Sequence, residues 1–296
     1  MKNLKIPEIN NENFLSEMIG KKREPQRAIL SGVFDKVKSR YNDYELKKKE
    51  LELLPIESWE QWQGSALRSC YVTKTKILHQ LDKIKAKIIE LNNSNVCQYC
   101  GISPVKPFDH YLPKSIFPEF SIFSLNLVPC CSDCNNKKLE KWLNEDGIRE
   151  FLNFYFDPID AAEIFLYCNI ESANDKFVPI FSLNFSEEFD INFSTLIKNH
   201  FINLNLLEKY SQNSSEEISS IMDIIINTYK REESLPAKNI LYSKIKTWIE
   251  DDADSKRLLK GGNNWKAALR DGLASSEGFI NYCIEGIINY QAFNDI

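Results

Sequence analysis

Cys97-Gln98-Tyr99-Cys100 and Cys131-Ser132-Asp133-Cys134 bracket a thirty-residue insert that carries Asp109-His110-Tyr111-Leu112-Pro113-Lys114, and this stretch decides the fold. Each Cys-x-x-Cys places two sulfurs on a tight turn, and four thiolates in tetrahedral geometry are a preferred structural site for zinc. The gap between the knuckles exceeds the usual zinc-finger spacing, so the insert must carry structure of its own. Residues 105–111 read as a short extended stretch ending at Asp109-His110, and residues 121–128 as a second, with Pro113 and Pro118 as turn signals between them. Ser132 is a helix N-cap candidate for a run through Asn135, Lys137 and Lys138 to about Trp142. The expected local order is a hairpin followed by a helix, with the second knuckle at the helix start. Cys130 adjoins this knuckle, but the two-residue spacer favours Cys131 with Cys134.

Disulfides are the rival reading of the four cysteines. The opening Met1-Lys2-Asn3-Leu4-Lys5-Ile6-Pro7 has no apolar signal segment, which argues against an oxidising compartment. Stretches of the roughly 20 apolar residues needed to cross a bilayer are absent, so a soluble cytoplasmic protein with no membrane role is expected. Cys70, Cys168 and Cys283 stand apart from any motif and read as small buried residues. His79 and His200 read as ordinary satisfied histidines, whereas His110 is singled out by the acid before it and the knuckles around it.

Asp109 to Lys114, then Asn126-Leu127-Val128-Pro129, then Cys131-Ser132-Asp133-Cys134-Asn135-Asn136-Lys137-Lys138 resemble the ββα-metal core of the HNH endonuclease superfamily in its zinc-knuckle form. The resemblance implies that His110 is the general base, that Asp109 and Asn135 hold a divalent metal, and that Asn126 braces the loop. Asn135 stands where the second histidine of the family's name often stands. A narrower resemblance, over residues 95–143, is to the HNH nuclease subunit of Septu-type antiphage systems, which is paired with an ABC-type ATPase; that partner is implied by the resemblance alone.

The residue types make chemical sense without the family. Phosphodiester hydrolysis needs an activated water and a cation to neutralise developing charge. A neutral imidazole can take the water's proton near pH 7. One carboxylate and one amide oxygen leave Mg²⁺ or Mn²⁺ largely hydrated and able to accept phosphate oxygens, while ligand softness would sort zinc to the sulfurs. DNA is the expected substrate; RNA stays open, because the motif does not read the 2′-hydroxyl. A stand-alone restriction-type or RNA-cleaving nuclease and a non-catalytic zinc-ribbon interaction module are the competing readings.

The expected fold class is mainly α with an embedded zinc-stapled ββα-metal core, divided into a helical region 1–94, the core 95–143 and a helical, acidic region 144–296. Helical runs are expected at 26–53 and 57–91. In the second, Leu67, Cys70, Lys74, Ile77, Leu81, Ile84, Ile88 and Leu91 recur at spacings of three and four, a packing stripe for this chain or for a partner helix. Further helices are expected near 145–167, 194–207, 215–229, 237–250 and 276–290, with a break at 174–183. The whole chain carries a net charge of −5. Residues 1–90 hold 18 Lys/Arg against 13 Asp/Glu, residues 91–143 hold 5 against 4, and residues 144–296 hold 14 against 25. Autonomous nonspecific DNA binders are ordinarily basic, so the polarity suggests nucleic acid approaching the N-terminal and core side, with targeting by another protein.

Overall fold

The computed structural model describes residues 1–72, 78–93, 95–160, 162–173, 176–229 and 235–294. The chain is mostly helical and divides into two compact units. The first comprises Asn3–Ile159 and Thr195–Leu204. The second comprises Met1–Lys2, Asp160–Ser194 and Asn205–Ile296.

In the first unit the helices are α1 (Asn11–Gly20), α2 (Gln26–Gly32), α3 (Phe34–Lys47), α4 (Gln61–Val72), α5 (Leu78–Asn92) and α6 (Ser132–Lys138), joined by the part of α7 (Ile191–Leu204) from Thr195 onward. Two short antiparallel strands, β1 (Phe108–His110) and β2 (Leu127–Pro129), pair Phe108 with Pro129, Asp109 with Val128 and His110 with Leu127. The helical run expected at 26–53 is broken at Val33, and α1 precedes it without having been anticipated. On α3, Val37, Arg40, Tyr41 and Tyr44 form one buried face. Tyr41 and Tyr44 pack on Phe120 and Phe123 of the insert, with Tyr41 and Phe123 stacked at 4.4 Å between centroids. Buried Arg40 donates to Glu119 Oε1 at 3.0 Å, and Trp59 Nε1 donates to Glu119 Oε2 at 3.0 Å. The sequence segments 1–94 and 95–143 thus share one core.

That packing explains why the insert is less extended than its sequence suggests. The expected strands at 105–111 and 121–128 shrink to three residues each, and the space between them holds 3-10 turns at Pro118–Phe120 and Ser124–Asn126. Phe117, Phe120, Ile122, Phe123 and Leu125 are all buried, so these apolar residues fill a loop core rather than alternate across a sheet. The helix expected to reach Trp142 stops at Lys138, where Leu139 takes a positive φ of 50°. Its N-cap is Cys131, not Ser132: the Cys131 sulfur accepts the Cys134 amide.

The run expected at 57–91 appears as α4 and α5; Lys74 and Ile77 lie outside the described residues, as does the side chain of His79. Leu67, Cys70, Leu81, Ile84 and Ile88 are buried, so the stripe is core of this chain and not a free docking seam.

The second unit holds the hairpin β3 (Leu166–Ala173) and β4 (Lys176–Leu183) with α8 (Leu206–Gln212), α9 (Ser214–Tyr229), α10 (Lys238–Lys260), α11 (Trp265–Ser275) and α12 (Glu277–Asn294). The hairpin stands where a break was expected at 174–183, and the helix expected at 145–167 does not form. Phe151, Leu152, Phe154 and Tyr155 are all buried in near succession, a pattern for which no single helical face exists, and β3 and β4 pair along their whole length. The α11 helix was also not anticipated; its Gly272 lies so close to β3 that a Cβ there would stand 2.7 Å from the Cys168 carbonyl oxygen. On α10, Leu241, Ile245, Ile249 and Ala253 make a four-residue-spaced buried face, which carries that helix past the expected end near 250. Among the described residues no helix is long and apolar enough to cross a membrane.

Candidate metal centre and buried histidine site

The two knuckles converge. Cys97, Cys100, Cys131 and Cys134 are buried, and their sulfurs all lie within 4.8 Å of one another, with Cys100 and Cys131 at 4.0 Å. Zinc bonds of about 2.3 Å in a tetrahedron require sulfur separations near 3.8 Å, so the donor set and its size fit that ion. Gly101, at a φ of 67°, closes the first knuckle in a conformation that suits glycine, and its amide donates to the Cys97 carbonyl at 2.8 Å. Hydrogen bonds from the neighbouring thiols, Cys100 first, hold the Cys131 thiol far below the usual range. Cys130 points elsewhere. Its sulfur stands 3.8 Å from the Pro107 carbonyl and 3.9 Å from Asn135 Oδ1, and burial followed by the charge of Asp109 pushes its thiol well up.

β1 carries Asp109 and His110 side by side into the interior, 4% and 8% exposed. Asp109 Oδ2 accepts the Tyr99 hydroxyl at 2.7 Å and faces the Lys138 ammonium at 3.0 Å. Burial raises the carboxyl's pKa; Lys138 and Tyr99 oppose it. Lys138 also donates to the His110 carbonyl at 3.0 Å. His110 Nε2 lies 2.9 Å from the Ser121 carbonyl oxygen, and a carbonyl only accepts, so Nε2 carries the ring proton and Nδ1 the lone pair. Burial pulls the His110 pKa down to about 3, aided by the positive charges of Lys114, Lys138 and Lys85. The ring is therefore neutral near pH 7. Tyr71 of α4 meets it edge-on at 4.3 Å and is itself fixed by donating to the Phe108 carbonyl at 3.1 Å.

Asn126 ties the turn together from within: Oδ1 accepts the Leu112 amide at 2.8 Å, and Nδ2 donates to the Leu112 and Phe120 carbonyls at 3.0 and 3.3 Å. Asn135, on α6, presents its amide oxygen beside Cys130. Asp109 Oδ2 is engaged by Tyr99 and Lys138, while the Asn135 amide oxygen faces the Cys130 sulfur. His200 is a satisfied core histidine, fully buried, with Nδ1 accepting the Leu152 amide at 3.3 Å and Nε2 donating to the Tyr99 carbonyl at 3.1 Å.

Tyr99, Lys138, Tyr71 and Ser121 were not assigned roles from sequence. Tyr99 lies inside the first knuckle and Lys138 four residues beyond the second, where the only signal was an aromatic ring between two cysteines and a lysine three residues after Asn135. Tyr71 has no local signal, because a helix remote in sequence brings it in.

Comparison with known proteins gives partial likenesses. The chain is 27% identical to "Protein ea31" of Escherichia phage lambda over 201 residues, 64% of each chain. It is 31% identical to "Septu protein PtuB" of Bacillus thuringiensis over 91 residues, 29% of this chain and 34% of that protein. The chain thus spans less than two thirds of the length of either relative. No family model matches, and no solved structure matches.

Proposed function

We propose that this chain is a metal-dependent HNH endonuclease that hydrolyses DNA phosphodiester bonds with His110 as general base. The observation that carries the reading is the His110 Nε2 contact to the Ser121 carbonyl at 2.9 Å, which leaves Nδ1 as the basic atom on a ring that burial keeps neutral. A base held in one tautomer and one orientation needs no reorganisation before it takes a proton from water. Asp109 and Asn135 would hold Mg²⁺ or Mn²⁺, which when bound supplies neutralisation of the charge developing on the phosphate. Tyr99 and Lys138 fix Asp109 through Oδ2, which would hold the carboxylate in one orientation toward such a cation. Asn126 keeps the His110-to-Leu127 loop at constant width, and Cys97, Cys100, Cys131 and Cys134 would hold a structural zinc that anchors both α6 and the strand pair.

In the same reading a defence role, exercised in the cytoplasm, is supported by the PtuB likeness, and a partner protein by the charge of −5, the wrong sign for tight autonomous binding to DNA; the Septu-type resemblance implies that this partner is an ABC-type ATPase. The deciding experiment incubates purified protein, and its His110→Ala variant, with supercoiled plasmid and with total RNA, with and without Mg²⁺ or Mn²⁺. Metal-dependent nicking of plasmid by the wild type alone is expected. Cleavage of RNA in preference to DNA would replace the substrate, and equal cleavage by both proteins would remove His110 from the mechanism.

A further inference from the structure

Two lysines from different elements converge on one aromatic ring beside His110. Lys85, on α5, places its ammonium 4.8 Å from the Tyr71 ring centroid and 5.5 Å from that of Phe108. Lys114, four residues beyond His110, places its own 5.0 Å from the same Tyr71 ring. Both are half-buried, and the charges of both reach the His110 imidazole. Asp82, three residues before Lys85 on α5, is the carboxylate whose field is felt there, yet among the described residues neither lysine forms an ion pair. Ring faces attract ammonium groups, and partial burial strips hydration from Lys85 and lowers its pKa. An anion seated beside both ammonium groups would offset that cost and neutralise their charge.

We propose that Lys85 and Lys114, steadied by the Tyr71 ring, form a seat for a backbone phosphate of the nucleic acid, on the side of His110 faced by Tyr71. This deepens the nuclease reading and rests on it for the identity of the anion. The seat assigns a role to α5 that its apolar stripe conceals: Leu81, Ile84 and Ile88 anchor the helix in the core, and Lys85, between them in sequence, is thereby held at a fixed place beside β1. The seat also offers a local positive site in a chain whose overall charge is negative. Neutralising one phosphate per lysine releases counterions, so each contact adds about 0.9 to the slope of log K against log salt for duplex DNA.

The test is fluorescence anisotropy of a labelled 20-base-pair duplex with zinc-loaded full-length protein, without Mg²⁺ or Mn²⁺, across a salt series. Lys85→Gln and Lys114→Gln should each weaken binding several-fold and lower the salt slope by about one. Lys85→Arg and Lys114→Arg should restore both, and Lys49→Gln, which removes an exposed lysine of the same charge on α3's trailing loop, should change neither. Thermal midpoints of all variants check that the core is intact. Wild-type affinity and slope in the Lys85→Gln, Lys114→Gln double variant would overturn the proposal, as would a wild-type protein that fails to bind the duplex even at low salt. A protein that binds through these lysines but cuts nothing with either metal would keep the seat and sink the nuclease reading; one that cuts metal-dependently while the double variant binds unchanged would do the reverse.

Discussion

Lys138, the last residue of α6, faces Asp109 Oδ2 at 3.0 Å where the two side chains are 0% and 5% exposed. The pair joins the helix that starts at the second knuckle to the strand that carries His110, so the metal centre and the histidine site form one mechanical unit. A buried ion pair adds little net stability over an apolar pair, but breaking it strands a charge, at a cost of about 3–5 kcal/mol. Lys138→Met should therefore lower the unfolding free energy by that order, and Asp109→Asn in the same background should recover much of the loss. Urea unfolding of the two single variants and the double supplies the cycle; additive losses would show that the pair is not coupled.

Zinc should bind one per chain, and Cys97→Ser or Cys131→Ser should lose it together with protease resistance in the 95–143 region, because binding and local folding are one event in a site this small. Cys130→Ser is the informative control. Its sulfur faces Pro107 and Asn135 rather than the cluster, so that variant should keep a full complement of zinc by elemental analysis. Zinc loss in Cys130→Ser would reassign the ligand set.

If His110 is the base, His110→Ala should fold, hold zinc and bind DNA while its cleavage rate drops on the order of 10²-fold or more. Asn135→Ala should instead raise the Mg²⁺ concentration needed for half-maximal cleavage, since it removes a ligand. Asp109→Ala combines that effect with a stranded Lys138, so its instability should exceed that of Asn135→Ala. An unchanged metal requirement in Asn135→Ala would take that residue out of the cation site.

Acid should destabilise the first unit partly through His200. Burial lowers its pKa from 6.5 to about 4, so between those values the unfolded chain binds a proton that the folded chain refuses, and stability falls as pH falls. The loss should reach roughly 1 kcal/mol by pH 5.5. His200→Gln offers similar hydrogen bonds without a titrating ring and should lack this component. Comparing urea midpoints at pH 7 and pH 5.5 in zinc-saturated buffer decides it; an identical pH response in both proteins would show that His200 is not responsible.

A partner, if recovered in stoichiometric amount from the native host, should not depend on the α5 stripe. Ile84 and Ile88 are 7% and 0% exposed, so Ile88→Asn should unfold the protein, as the removal of a buried branched side chain and the insertion of an unpaired amide together require. A folded Ile88→Asn chain that has lost only its partner would show instead that the stripe docks.

The sequence by itself determined the features in which spacing is the physics. Two Cys-x-x-Cys turns commit four sulfurs to one centre whatever lies between them, and the buried cluster of Cys97, Cys100, Cys131 and Cys134 is the result. Helices with a clean apolar stripe, α9 and α12 among them, were legible for the same reason, because a buried face repeats every three to four residues. The tertiary structure alone decided what depends on residues far apart in the chain. The aromatic run at 117–125 became a loop core because α3 offers Tyr41 and Tyr44 to pack on, and no helix forms around 151–155 because its buried residues lie too close together for one helical face. The surroundings of His110 belong to this second kind. Ser121 selects its tautomer, Tyr71 closes one edge, and Lys138 with Tyr99 holds the neighbouring carboxylate; a motif names the histidine, but only the fold sets which nitrogen is basic, since that depends on which atoms are packed against the ring.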